Sequence, residues 1–484
     1  MASASIDTPA GQELEARIAQ AIGGRERALV RLTFALRPWD PWRLLERASE
    51  LGRPWFAWRA HDDSRTFITL GSVAYHDARQ GALWADTKAF YSTVTEQSVE
   101  VRTSCESRPD HEAPVLVGGL GFDAGRARDE GSPWSAWAQG SLWVPEAVIM
   151  VSENLGTLCV TRAWGAGDSI PELAAWARAW ADDLSRPPEA PRPRPWARAP
   201  RRPTFRHEER VWSTRVQEAL DAIGEQDLEK VVLARAVRFW AGDGERFDAP
   251  NTLRSLRRDE PDCDVFAVGH PDGSVFLGAS PEPLLEVDGR SLRTVALAGT
   301  IRRGLGPEED ELARAALMDS EKDGREHALV VDAIAQALEP LCTEVQTRGV
   351  EVRALTQVHH LETRVAGQLA PGTEALDVIE RLHPTPATCG WPRERARAWI
   401  AEHEGLDRGW YAGPVGWLGA RGVARFSVAL RSALIRGDEA HAFGGAGIVR
   451  GSTPEGEWQE TEAKLAAITQ SLMTRAMAPG EGEP

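Results

Sequence analysis

Residues Ser274–Leu297 read SVFLGASPEPLLEVDGRSLRTVAL. Ser274–Gly278, Leu284–Val287 and Ser291–Leu297 predict three short strands, and Asp288-Gly289 between the last two predicts a tight antiparallel hairpin. Upstream, Lys230–Phe239 (KVVLARAVRF) is a β-branched run suited to a strand buried on both faces. Val211–Ile223 before it reads as an amphipathic helix. Downstream, Ser320 is placed to cap a helix with Leu329, Val330, Ala333, Ile334, Ala337 and Leu338 on one stripe, stopped at Pro340. Strands and helices therefore come in runs and do not alternate strictly. That order predicts a mixed or antiparallel α+β sheet rather than a doubly wound Rossmann fold.

Before this region the chain mixes helical stretches, Gly11–Ile22 and Pro41–Leu51, with strand-like runs, Trp55–Trp58 and Ala147–Val151. Asp40 before Pro41 is a capping side chain followed by a proline at the first helical position. Arg186–Pro203 holds seven prolines and six arginines, a composition that resists helix and sheet. It divides the chain into an N-terminal part (1–185), a linker or surface loop (186–203) and a C-terminal region (204–478). No fixed-period repeat is visible, which disfavours solenoids and propellers.

The 484 residues carry 72 acidic against 56 basic side chains, a net charge of −16 that disfavours nucleic acid as a partner. No apolar run reaches the roughly 20 residues of a membrane helix, and the N-terminal stretch lacks a basic then apolar leader, so a cytoplasmic protein is expected. The five cysteines, Cys105, Cys159, Cys263, Cys342 and Cys389, contain no CxxC pair, which argues against a disulfide framework and a structural zinc site. Only four of the 56 basic residues are lysines: Lys88, Lys230, Lys322 and Lys464. A GC-rich genome that writes arginine for any generic cation explains the rest. A lysine that survives such bias marks a site needing a compact, deprotonatable amine.

Several side chains are candidates for chemistry. Lys230 opens an apolar strand, where burial would lower its pKa and make it a base, although position alone fits a solvated strand-end cation. Glu282 stands between Pro281 and Pro283, which fix its direction and suit a general acid or a plain loop glutamate. Glu326 extends the apolar stripe of its helix and should point inward, where a carboxylate needs a cation. Glu457, Glu460 and Lys464 fall at i, i+3 and i+7, a spacing open to a hard cation such as Mg²⁺ or to a solvated Glu/Lys face. Phe443–Ile448 (FGGAGI) offers backbone N–H groups to an anion. It is neither GxGxxG nor a P-loop, so nucleotide binding has no support. Arg431 falls on the Ser427/Ala429 face of a short strand, with room for a bidentate pair to a carboxylate. His359-His360 lacks an HExxH partner, and no GxSxG elbow is present.

The order and wording of these blocks resemble the chorismate-utilising enzymes: KVVLAR (230–235), FLGASPEPLL (276–285), ALAGT (296–300), SEKDGREHALVVD (320–332), HLETRVAG (360–367), LHPTPATCG (382–390), WYAGPVGW (410–417) and Ala442–Lys464. The resemblance implies an α+β (α/β) fold in which large antiparallel sheets flanked by helices form a single intertwined domain. It also sets the reaction type. Lys230 matches the lysine that activates water for attack at ring C2, where anthranilate synthases carry glutamine. Ala298 stands where aminodeoxychorismate synthases place a nucleophilic lysine, and Ala387 where salicylate synthases tend to have threonine. The implied activity is Mg²⁺-dependent isochorismate formation from chorismate, a hydroxymutase (isomerase) reaction.

In the roles the resemblance carries over, Lys230 is the general base and Glu282 the general acid. Glu326 and Glu460 hold Mg²⁺, with Glu457 acting through water. Arg431, Tyr411 and the backbone of Gly445 clamp the enolpyruvyl carboxylate, Gly299, Thr300 and His360 line the ring site with Ala387, and Lys464 offsets negative charge. Lys322 has no assigned mechanism. Gly118–Asp123 (GGLGFD) is similar to a stretch in menaquinone-pathway members and favours menaquinone over siderophore supply. A salicylate synthase and a non-catalytic binding subunit are the competing readings. A glutamine amidotransferase partner is not expected with water as nucleophile.

Overall fold

The computed structural model describes residues 11–62, 65–78, 83–103, 113–123, 131–152, 155–189, 201, 205–225, 228–242 and 244–474. Two large sheets organise them. In the 12-stranded sheet Lys230–Trp240 lies between the two-residue strand Gly390–Trp391 and Glu439–Val449, followed in order by Ser432–Arg436, Val275–Ser280, Asp264–Gly269, Trp55–Arg59 and Thr66–Leu70. The sheet then continues through Ala147–Ser152, Leu155–Trp164, Ala28–Leu36 and Ser98–Arg102. Among its described strand pairs only Ala28–Leu36 with Ser98–Arg102 is parallel. The 10-stranded sheet joins Val358–Leu369, Ser291–Arg302, Pro283–Asp288, Ala424–Val428 and Pro414–Leu418 to Leu116–Leu120 and Gly140–Val144. Strands from both sides of residues 186–203 thus share both sheets. Most of that proline-rich stretch lies outside the described residues.

Period-2 alternation assigns the faces of the large sheet. In Trp55–Arg59, Phe56 and Trp58 enter the core between the sheets, whereas Trp55 and Ala57 enter a second core under the outer helices. The first core is rich in aromatic contacts, such as Phe67 edge-on to Trp417 at 6.3 Å, which tie one sheet to the other. The second receives Leu14 and Ile18 of the Gly11–Ile22 helix and Leu465, Ile468 and Leu472 of the Pro454–Met473 helix.

The hairpin at Asp288-Gly289 forms as the turn chemistry requires, with Asp288 opposite Ser291 and Gly289 at φ 59°. Asp40 caps its helix by accepting from the Trp42 N–H, although the first turn is 3₁₀ and the α-helix runs only Leu45–Glu50. Ser320 likewise accepts from the Asp323 N–H and starts Glu321–Leu338, which buries Val330, Ala333, Ile334 and Leu338. Two expectations are corrected. Phe443–Ile448 is the interior of the strand Glu439–Val449: one edge of its backbone pairs with Lys230–Trp240, while the ladder to Ser432–Arg436 ends at Ala442 and leaves the other edge of the run to the cavity. Arg431 is not on a strand face: it sits in the turn between Val428 and Ser432 with φ 45°. The four described cysteines are free, three of them buried, and Cys105 lies outside the described residues.

Candidate active site

A cavity opens where the end of the large sheet meets the Glu321–Leu338 and Pro454–Met473 helices. Its lining includes all the candidate residues except Glu457, which is buried just behind Lys322. All lining residues come from position 230 onward.

Lys230 is only 1% exposed, so it is not a solvated strand end. Its Nζ lies 2.7 Å from Glu326 Oε1. Two glycines of the facing strand make the room: a Cβ on Gly447 would stand 2.8 Å from Glu326 Oε1 and 3.0 Å from Lys230 Cε, and one on Gly445 would stand 3.0 Å from the Tyr411 hydroxyl. The FGGAGI run is therefore glycine-rich for clearance over the cavity floor.

Glu282 occupies the two-residue link between Val275–Ser280 and Pro283–Asp288. Ser280 Oγ accepts from the Glu282 N–H at 3.2 Å and donates to the Val428 carbonyl, while the Val428 N–H donates to the Glu282 carbonyl at 3.0 Å. The backbone is thereby pinned on both sides. Among the described residues the carboxyl itself has only a long contact from Thr385 Oγ1, at 3.5 Å. Burial pushes it up to about 7, against the downward pull of Lys230, Lys464 and Thr385. Near neutral pH it is poised to hold or release a proton.

The other carboxylates are all met by lysines. Burial would raise Glu326, but Lys230, with Lys464 and Lys322 behind it, holds it below the ordinary carboxylate value. Lys322, which had no role in the sequence, pairs with Glu457 Oε1 at 3.3 Å. Lys464 pairs with Glu460 at 2.6 Å and donates to the Gly445 carbonyl. Glu457 is 3% exposed and, among the described residues, its Oε2 has no hydrogen-bond partner. Burial and the neighbouring Glu460 charge push it up. Among the described residues no three acidic, His or Cys side chains form a ready-made metal cluster. An orphaned buried carboxylate oxygen beside the like charge of Glu460 nonetheless has the hard-oxygen chemistry that suits Mg²⁺.

The ring side is formed by His360, whose Nδ1 meets Thr300 Oγ1 at 3.0 Å and the Gly299 carbonyl at 3.3 Å. Burial and the charges of Lys464 and Arg431 hold it neutral. Gly299 takes φ 75°, and a Cβ there would meet Asp323 at 3.0 Å. Tyr411 stacks on Phe443 with ring centroids 5.3 Å apart, and burial pushes its phenol up to about 12, so it is a neutral hydrogen-bonding group. Ala387 lines the wall beside Thr388. Arg431 reaches the cavity with its Nη1 held by Glu260 at 2.9 Å.

Sequence reasoning missed Glu260, Thr385 and the buried pair Glu404–Arg408. Arg408 donates to the Thr388 and Val232 carbonyls, and Glu404 accepts from the Ala234 N–H. This pair ties the Lys230 strand to the Ala387–Thr388 wall. Gly118–Asp123 lines no part of the cavity. Its Gly121 and Phe122 carbonyls accept from His383 Nε2 at 3.2 Å each, and Phe122 lies under the Arg408 guanidinium, so the motif buttresses that wall from behind.

Residues 16–473 match the family model described as chorismate binding enzyme. The chain belongs to the chorismate-binding enzyme family. A family relative, the salicylate biosynthesis isochorismate synthase of Pseudomonas aeruginosa, is 38% identical over 74% of this chain and 74% of its own length. The isochorismate synthase MenF of Bacillus subtilis is 32% identical over 86% of this chain and 87% of its own. The solved structure of MenF, the menaquinone-specific isochorismate synthase from Escherichia coli, superposes with a TM-score of 0.74 at 26% identity, covering 96% of this chain and 99% of that one. The large antiparallel sheets flanked by helices are thus the family's fold.

Proposed function

We propose that this chorismate-binding enzyme is an isochorismate synthase. The observation that carries the reading is the placement, in one cavity, of a buried amine at Lys230 and a buried carboxyl at Glu282 that desolvation pushes up to about 7. Lys230, once it has given up the proton that it donates to Glu326, takes a proton from the water that attacks ring C2 of chorismate. The ring double bonds shift, the C4 oxygen departs as hydroxide and takes the proton of Glu282, and the product is an isomer of the substrate. Arg431 and Tyr411 bind the enolpyruvyl carboxylate, with the Gly445 backbone beside them, while the neutral His360 faces the ring with Thr300 and Gly299. Glu326, Glu457 and Glu460 would hold Mg²⁺, which supplies positive charge for the ring carboxylate when bound. Lys464 adds a fixed cation beside Glu460.

Alanine at position 387, where salicylate synthases tend to have threonine, favours an enzyme that keeps the enolpyruvyl ether and stops at isochorismate. The Gly118–Asp123 match and the MenF relatives support menaquinone supply, in the cytoplasm. Among the described residues no helix is long and apolar enough to cross a membrane. Incubating the protein with chorismate and Mg²⁺ and separating the products tests the reading. Isochorismate as the sole early product is expected. Substantial pyruvate or salicylate would overturn it in favour of a salicylate synthase, and no turnover would favour a binding subunit.

A further inference from the structure

The guanidinium that the proposed reaction assigns to a substrate carboxylate is itself gripped from behind. Glu260 follows the Ala249–Asp259 helix as its C-cap, and its N–H closes that helix on the Leu256 carbonyl. Its carboxylate is 3% exposed and touches Arg431 Nη1 at 2.9 Å. The Cys263 thiol lies 3.7 Å from the same Oε2 and 3.6 Å from Arg431 Nη1, closing a buried triangle. Arg431 holds φ 45°, a conformation that side-chain-bearing residues adopt only when their surroundings fix them, and its carbonyl accepts from the Ala279 N–H.

A guanidinium binds a carboxylate bidentately only when one edge of its planar fork is presented squarely. An arginine side chain with free rotamers would have to be ordered at each binding event. Here Nη1 is taken by a buried carboxylate anchored at a helix end. The other donors are left to the cavity. We infer that Glu260 is a positioning residue: it orients Arg431 for the enolpyruvyl carboxylate and so sets the strength of substrate binding without touching the reacting atoms. This rests on the isochorismate synthase reading above.

The geometry makes separable demands. Glu260→Ala frees the guanidinium and is expected to raise KM for chorismate about tenfold, the loss of one charge-assisted hydrogen bond's ordering effect, with kcat within about threefold. Glu260→Gln keeps an acceptor oxygen at the same reach and is expected to restore KM to within about threefold of the parent. In an Arg431→Ala background, Glu260→Ala is expected to have no further effect on KM. Should Glu260→Ala not fold, Glu260→Asp, which withdraws the oxygens by one methylene, carries the same expectation as the alanine variant. An unchanged KM in the folded Ala or Asp variant would overturn the inference. So would a KM effect that persists without Arg431. A parent protein that does not turn over chorismate would instead sink the underlying reading.

Discussion

Two walls of one cavity carry buried carboxylates, and they are treated in opposite ways. On the Glu321–Leu338 wall Glu326 is bonded to Lys230 at 2.7 Å and held ionised. On the wall of the Val275–Ser280 and Pro283–Asp288 strands, Glu282 has no cation in contact, only Thr385 at 3.5 Å, and burial pushes it up to about 7. The residue type is the same and burial is similar, so the difference comes from the neighbours. A direct ion pair makes a permanent anion suited to holding a cation, whereas desolvation alone makes a proton donor.

Lys230 couples the two walls, so removing it should have the largest effect. Lys230→Ala is expected to lower kcat about 10⁴-fold. Turnover at the parental rate would show that the base lies elsewhere.

Glu282→Gln is expected to cost about 10²–10³-fold in kcat. With the acid intact, kcat/KM should fall about tenfold per pH unit above about 7, as Glu282 loses the proton it must donate. The stability effect has a definite sign. Glu282 is raised from its ordinary 4.5 to about 7, so the native state resists its ionisation, and stability is lost as pH rises from about 4.5 through 7. Glu282→Gln escapes that loss. In urea titrations it should gain up to roughly 3 kcal/mol over the parent at pH about 8, and nothing at pH about 4. An equal ΔΔG at both pH values would place the Glu282 carboxyl in water.

On the opposite wall, Glu457→Gln removes a buried acid whose Oε2 is orphaned. Isothermal titration of Mg²⁺ into the substrate-free protein should show affinity weakened tenfold or more. Unchanged affinity would remove Glu457 from the metal set. The smallest effect should come from Lys88, which lies away from the cavity and pairs with Asp377 and Glu380 at the surface. Lys88→Ala should shift stability by less than about 1 kcal/mol and leave kcat and KM unchanged.

Much of this contrast was legible in the sequence, and the reasons differ by residue. The hairpin at Asp288-Gly289 and the Ser320 cap are local chemistry, so short windows find them. The inward direction of Glu326 follows from helical spacing against Val330 and Ala333. Scarcity singled out Lys230 and Lys464, and it flagged Lys322 without revealing that its partner Glu457 is 135 residues away. Glu260 and Arg431 are 171 residues apart, and nothing local to either marks the pair. The strand character of the FGGAGI run was hidden for a related reason. Its glycines look like a loop in one dimension and become strand once Lys230 and Tyr411 arrive from elsewhere in the chain.

Those glycines also say how this cavity can be lost. At Gly447 the smallest possible addition, one methyl group, would press on Glu326 and Lys230 together and wedge apart the contact between the walls. The scaffold, whose sheets and cores lie beyond that point, has little reason to notice. A single-nucleotide step from glycine to alanine at this position is thus expected to disturb the Lys230–Glu326 contact and lower activity while leaving the fold intact, although the position carries no functional group.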